Sequence, residues 1–199
     1  MERYNTAMAK EIEAKIKIDN PTEIANLVTS IGGKSKYIRF ETNIFYDTPK
    51  AKLDSKGQVL RLRQERYLDG KDSVSMTFKG RRKMGKIKIR DEHEFNVSDF
   101  DQAHLLLVSL GYRESFRFEK RRSSFSFMGC LVEIDTLPFL GHFCEVEGSS
   151  EVDIRKVLKI LGLQDAKLIV DGYASLLRKD ALKNKRAKKV SEFKTKEIE

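Results

Sequence analysis

The sequence predicts an α+β fold: an eight-stranded, mainly antiparallel, closed β-barrel (a tunnel) with helices packed outside. Eight segments alternate apolar and polar residues with the two-residue period of a strand. Capped amphipathic helical segments interrupt them in a regular order. Nearly every strand also carries a charged i, i+2 pair opposite its apolar face, and the charges segregate into Glu pairs and Arg/Lys pairs. Exposed strand faces favour Thr and mixed polar residues. Charged faces turned toward a water-filled lumen therefore explain the pattern better, with the apolar faces outward beneath the helices. Closure also removes exposed sheet edges. On pattern alone, an ordinary amphipathic sheet with a solvated charged face stays open.

The first strand, 10–18, has Ile12, Ala14, Ile16 and Ile18 on one face and Glu11, Glu13, Lys15 and Lys17 on the other. Neighbouring charges on that face are roughly 6–7 Å apart. Asn20-Pro21-Thr22-Glu23 then supplies an N-cap, a proline at the first helical position and an acid at the third. That helix runs through Ile24, Leu27, Val28 and Ile31 and ends at Gly32-Gly33. The second strand is 38–47. The third, 58–67, puts Arg61 beside Arg63, and the fourth, 73–80, puts Thr77 beside Lys79. The fifth, 87–97, carries Lys88, Arg90, Glu92 and Glu94 on one parity. Ser98 is the expected cap of a second helix through Leu105, Leu106, Val108 and Leu110, closed by Gly111. The sixth strand, 115–122, pairs Lys120 with Arg122; the seventh, 124–135, pairs Glu133 with Asp135; the eighth, 142–148, pairs Glu145 with Glu147. Ser150 caps a third helix through Ile154, Val157, Leu158 and Leu161, closed by Gly162, and a fourth begins near Asp171 with Tyr173, Leu176 and Leu177.

This order contains an internal repeat. Glu11-x-Glu13 matches Glu92-x-Glu94, each followed by a capped helix. The chain then returns through Gly32 to Arg39-Phe40-Glu41, and through Gly111 to Arg117-Phe118-Glu119, at offsets of 81, 79 and 78 residues. The expectation is two β-α-β-β-β halves in one domain.

The chain has 199 residues, 40% apolar and 35% charged, enough for one domain with a substantial core. No segment approaches the roughly 18 apolar residues of a membrane span, and residues 1–18 carry no apolar secretory core. The expected compartment is the cytoplasm, with no membrane partner. Cys130 and Cys144 have no metal or disulfide spacing and read as reduced structural thiols. Residues 178–199 hold nine of the Lys/Arg and four of the Asp/Glu, a net +5 of the total +9. The region 179–199 is expected to be a basic C-terminal helix or tail. Without a ladder of aromatic residues for base stacking it is not read as a nucleic-acid arm. A basic wall facing carboxylates suits a polyphosphate, which needs many cationic donors, and its Mg²⁺ or Mn²⁺, which needs carboxylate oxygens. A network of mutual ion pairs is the competing structural role for these charges.

Glu11-x-Glu13-x-Lys15 resembles the ExExK signature of the CYTH superfamily, the triphosphate tunnel metalloenzymes. These include class IV adenylyl cyclases, thiamine triphosphatases and inorganic tripolyphosphatases. Phe45-Tyr46-Asp47-Thr48-Pro49, Leu60-Arg61-Leu62-Arg63, Thr77-x-Lys79, Arg90-x-Glu92-x-Glu94, Lys120-x-Arg122, Glu133-x-Asp135 and Gly141-x-Phe143-x-Glu145-x-Glu147 follow in family order. The resemblance makes 1–178 a triphosphate-tunnel domain, most similar to the class IV cyclase branch. Gly172-Tyr173-Ala174-Ser175-Leu176-Leu177 departs from that branch's Ser-Tyr-Ser-x-Leu-Leu at two serines.

The resemblance implies metal-dependent chemistry on a nucleoside or inorganic triphosphate. Glu13 and Glu145 are the leading metal ligands, with Glu11, Glu94 and Glu147 near them. Arg61, Arg63, Lys79, Arg90, Lys120 and Arg122 grip the phosphates. Lys15 positions a phosphate or the attacking group, and Asp135 organises substrate or metal. Lys17 has no family counterpart and is expected at the tunnel mouth. His93, His142, Tyr46 and Tyr173 read as packing or loop residues. A homodimer through uncovered apolar strand faces is expected. A cyclase, a triphosphatase and a non-catalytic binder all remain open.

Overall fold

The computed structural model describes residues 9–81, 88–184 and 190–191. In chain order the elements are β1 (Ala9–Ile18), α1 (Pro21–Ser30), β2 (Lys34–Asp47), α2 (Lys52–Ser55), β3 (Val59–Tyr67), β4 (Asp72–Lys79), β5 (Lys88–Val97), α3 (Phe100–Ser109), β6 (Arg113–Phe127), β7 (Cys130–Leu137), β8 (Gly141–Glu147), α4 (Glu151–Ile160), α5 (Tyr173–Lys183) and β9 (Val190–Ser191). The sheet runs β2-β3-β4-β5-β1-β8-β7-β6, and β6 pairs back onto β2 from Lys34↔Ser126 to Asp47↔Arg113. Eight antiparallel strands therefore form a ring. β9 adds parallel to β6 at Arg117 and Phe118.

The two predicted halves are present. Exchanging β1–β4 for β5–β8 maps the ring's pairings onto themselves: β1–β5 and β2–β6 are self-paired, and β4–β5 corresponds to β8–β1. The second anchor of the repeat is a mismatch, however. Arg39 and Glu41 are buried on the inner face, whereas the inner residues of β6 are Phe118, Lys120 and Arg122, so Arg117 and Glu119 face the other way. With a side-chain period of two, a one-residue offset exchanges the faces.

The apolar faces point outward under helices, as expected. Ala14, Ile16, Val132, Ile134, Cys144 and Val146 of the ring pack with Val28 of α1 and Ile154, Val157 and Leu158 of α4. Ile44, Tyr46 and Leu62 pack under Ala103 and Leu107 of α3. α5 differs, because its Tyr173 and Leu177 pack against Phe116, Phe118, Leu137 and Phe143, which share the inner parity of Lys120, Asp135 and Glu145. α5 thus seats on the inner surface of the ring.

Two boundaries are corrected. The sixth strand does not break near Ser123; β6 continues to Phe127 and turns at Met128-Gly129, with φ of 50° and 76°. Two successive positive φ values are what a tight two-residue hairpin requires. The α3 cap is Asp99, not Ser98: its carboxylate accepts from the Gln102 amide at 2.8 Å. α2, a single short turn, was not anticipated. Ile87 and the basic residues Lys185, Arg186, Lys188, Lys189, Lys194 and Lys196 lie outside the described residues. Cys130 and Cys144 are buried and unbridged, and burial first, then the nearby Glu145, pushes Cys144 up to about 12. No described helix is long and apolar enough to cross a membrane.

Candidate functional site

The ring surrounds a cavity of about 940 Å³ lined by ten cationic and ten acidic side chains. Strand alternation puts them there, since every second residue of each strand faces inward. Twelve of the thirteen predicted site residues line it: Glu11, Glu13 and Lys15 from β1, Arg61 and Arg63 from β3, Lys79 from β4, Arg90 and Glu94 from β5, Lys120 and Arg122 from β6, and Glu145 and Glu147 from β8. The thirteenth, Asp135, is fully buried and stands behind the cavity wall. Lys17 is exposed and is not among the residues lining the cavity.

Asp135 nevertheless organises the wall. It accepts from Arg122 Nε at 2.6 Å and Nη2 at 2.5 Å, from Lys120 Nζ at 3.2 Å and from the Tyr173 hydroxyl at 2.8 Å. Arg122 also reaches Glu133 and Glu145. On the adjoining wall sits Glu41, which the sequence reading used only as a repeat anchor. It lies 2.9 Å from Arg39, 3.3 Å from Arg63 and 3.4 Å from Lys120. Burial alone would raise its pKa, but Arg63, Lys120, Arg122 and Arg39 hold it well below the usual carboxylate range. The in-phase alternation of Arg39 and Glu41 along β2 was the available signal. Tyr173, read as packing, also lines the cavity.

Elsewhere Lys79 bridges Glu11 at 2.6 Å and Glu92 at 3.1 Å. Lys15 lies 3.1 Å from Glu145. Arg61 donates to Thr77 at 2.9 Å and Glu94 at 3.2 Å, but its Nε has no hydrogen-bond partner among the described residues. Burial first, then the adjacent Arg63, lowers Arg61 to about 10, and Glu94 only partly offsets this. Lys120 is likewise lowered, by burial and then by Arg122. Arg90 lines the cavity yet donates to the carbonyls of Gly80 at 2.6 Å and Gly57 at 3.1 Å.

Carboxylates crowd one side. Glu147 is reachable by solvent but sits in a concave wall; lost hydration, then Glu133, Glu11 and Glu13, push it up to about 7. Glu11, Glu13, Glu145 and Glu147 are the residues able to hold a hard divalent cation, because oxygen donors suit Mg²⁺ or Mn²⁺ and no Cys/His set is present to favour zinc. The fit is one of donor type: among the described residues no three such groups already stand in metal-ligand geometry. His93 is exposed, and His142 faces the Thr136 hydroxyl at 2.9 Å, so neither joins the site.

The chain is 27% identical over 176 residues to a Methanocaldococcus jannaschii protein named a putative adenylate cyclase, covering 83% of this chain and 97% of that one. A Vibrio parahaemolyticus structure, also titled a putative adenylate cyclase, superposes with a TM-score of 0.74 at 23% identity, covering 84% of this chain and 97% of the other. A Hippeastrum structure, described as a putative adenylyl cyclase with a dominant triphosphatase activity, superposes with a TM-score of 0.61 at 16% identity, covering 89% of this chain and 97% of the other. The CYTH domain model matches residues 9–173, the stretch that builds the ring and its cavity, and the chain belongs to the CYTH domain family.

Proposed function

We propose that this protein is a metal-dependent enzyme that acts on a triphosphate inside a closed β-barrel tunnel. The favoured activity is class IV adenylyl cyclase, converting ATP to cyclic AMP and pyrophosphate. One observation carries the reading: Arg61, Arg63, Lys120 and Arg122 line the same cavity as Glu11, Glu13, Glu145 and Glu147. Arg61 and Lys120 there hold less counter-charge than their burial demands. A triphosphate supplies anionic oxygens for the guanidinium and ammonium donors, and bidentate Arg contacts fix its orientation.

Glu13 and Glu145 would hold the cation, with Glu11, Glu94 and Glu147 near them; bound, it would neutralise phosphate-oxygen charge and orient the phosphorus. The chain's own part is positional. Arg61, Arg63, Lys79, Lys120 and Arg122 hold the phosphates and stabilise charge on the transferring group. Lys15 orients a phosphate or the attacking group, and Asp135 fixes Arg122 and Lys120 from behind. Arg90, given its carbonyl bonds, supports the rim as well as facing the anion. In a cyclase the 3′-hydroxyl attacks the α-phosphorus and pyrophosphate leaves. In a triphosphatase water attacks the γ-phosphorus and orthophosphate leaves. Position in the tunnel decides which phosphorus is in line. Triphosphatase activity is the second possibility because the Hippeastrum neighbour is described as having a dominant triphosphatase activity and because Gly172 and Ala174 replace two serines of the cyclase-like motif.

Purified protein with Mg²⁺ or Mn²⁺ separates these readings. Cyclic AMP and pyrophosphate from ATP support the first, and orthophosphate from tripolyphosphate or thiamine triphosphate the second. Binding without turnover leaves a nucleotide or polyphosphate binder. Glu13→Gln and Glu145→Gln are each expected to lower metal-dependent turnover by about 10²-fold or more; full activity in both would show that the ligand assignment is wrong.

A further inference from the structure

We infer that Tyr173 is a positioning residue that sets two phosphate-gripping lysines against each other. The inference rests on the triphosphate reading of the cavity. Lys15 stands on β1 and Lys120 on β6, and β8 and β7 lie between them in the ring. No strand pairing therefore fixes the distance between the two ammonium groups. Tyr173 belongs to no strand but to the start of α5, and its ring stands by both: Lys15 Nζ is 4.0 Å from the ring centroid and Lys120 Nζ 5.2 Å. The negative π face attracts each cation and offsets their mutual repulsion.

The hydroxyl extends the same control. It donates to Asp135 at 2.8 Å, and Asp135 in turn holds Lys120 at 3.2 Å and Arg122 Nε at 2.6 Å. Burial, then Asp135 and Glu145, keep the phenol protonated and thus a donor. The turn leading into α5 adds a second hold on Lys15, whose ammonium donates to the Asp171 carbonyl at 3.1 Å. Packing alone does not account for this. The ring edge already meets Phe143 at 5.2 Å and Phe118 at 6.3 Å, contacts that a phenylalanine would make without burying a hydroxyl. Tyr173 touches three of the proposed phosphate ligands directly or through one carboxylate, so donors are oriented before the anion arrives.

The test is a double-mutant cycle on the full chain. The probe is a methylene-bridged triphosphonate with Mg²⁺, whose P–C–P links do not hydrolyse, and binding is read by calorimetry. Tyr173→Leu should weaken binding about 10-fold, while Tyr173→Phe, which keeps the ring but not the hydroxyl's hold on Asp135, should weaken it about 3-fold. Because Tyr173 acts through Lys15, the Tyr173→Leu effect should shrink at least about threefold in a Lys15→Met background. Thermal melts establish that each variant is folded, and Tyr173→Met replaces Tyr173→Leu if the latter is not. Independent, multiplying effects of the two substitutions, or unchanged affinity in folded Tyr173→Leu, would overturn the inference and leave the triphosphate reading intact. If the unmutated protein fails to bind the probe, the triphosphate reading falls and this inference with it.

Discussion

Asp47 separates a motif's scaffolding from its chemistry. It belongs to the Phe45-Tyr46-Asp47-Thr48-Pro49 segment and reaches the cavity rim. Its carboxylate is committed elsewhere, accepting from the backbone amides of Thr48 at 2.7 Å, Leu53 at 2.9 Å and Asp54 at 2.9 Å, which pins the turn into α2. Burial would raise its pKa, but these amides outweigh burial and lower it. Asp47→Ala should destabilise the protein by about 1–3 kcal/mol near neutral pH. A carboxylate whose folded pKa is depressed contributes its stability above its unfolded value, about 3.9, and loses it as pH falls through the folded value. The gap between wild type and Asp47→Ala in urea melts should therefore narrow on acidification; a constant gap from pH 7 to 3 would refute the role. Residue identity was well signposted where charges alternate in phase, as at Glu11, Arg61 and Glu145. It was poorly signposted where a residue acts from behind the wall: parity put Asp135 on the inner face, but only packing shows that Arg122 and Lys120 cover it. Tyr173 packs as its helical spacing with Leu176 and Leu177 implies, but that spacing gives no sign of the cavity it also lines.

At the scale of elements, paired glycines after α1 show two different constraints behind one stop signal. Gly32 adopts φ +94° with open space where a Cβ would be. At Gly33 an added Cβ would stand 2.4 Å from Val28 Cγ1 and 2.6 Å from the Val28 carbonyl, and Val28 is fully buried between α1 and the ring. The first substitution costs only left-handed strain; the second forces α1 away from the strand it must feed. Gly32→Ala should cost about 1–2 kcal/mol and Gly33→Ala distinctly more, in the overpacking range of about 1–3 kcal/mol or above, both read from denaturant midpoints. Equal losses would mean that helix and strand relax together. The Gly32-Gly33 stop was legible, as were the Asn20 and Ser150 caps, because each is a local hydrogen-bond or dihedral rule. The β6–β7 turn was not, since Met128 at φ 50° is a residue no turn rule favours. α5's inward seat was also invisible, because Tyr173 and Leu177 would look the same packed on either face of the sheet.

At the scale of the molecule, two β-α-β-β-β halves make a ring whose inner wall neutralises itself, ten cations against ten acids. Ring order was legible because the charged parity repeats strand by strand, whereas the β2–β6 pairing that joins the ends depends on register between distant strands. The balanced wall dictates how a ligand enters. Buried ion pairs such as Lys15–Glu145 and Lys79–Glu11 must be partly exchanged for new ones. A polyanion alone would satisfy the cations and strand the carboxylates, and a cation alone would do the reverse; either leaves buried charge uncompensated, at a cost of several kcal/mol. On the proposed function, a triphosphate together with Mg²⁺ would replace the counterions of both sets at once. Thermal melts with tripolyphosphate alone, Mg²⁺ alone and both should therefore show a combined rise in Tm that exceeds the sum of the separate rises, since stabilisation follows ligand occupancy of the folded state. Each single addition should give little shift at concentrations where the pair gives a rise of several degrees. Equal shifts with tripolyphosphate in the presence and absence of Mg²⁺ would mean that the carboxylates keep their lysine and arginine partners while the anion binds, and that no cation takes their place.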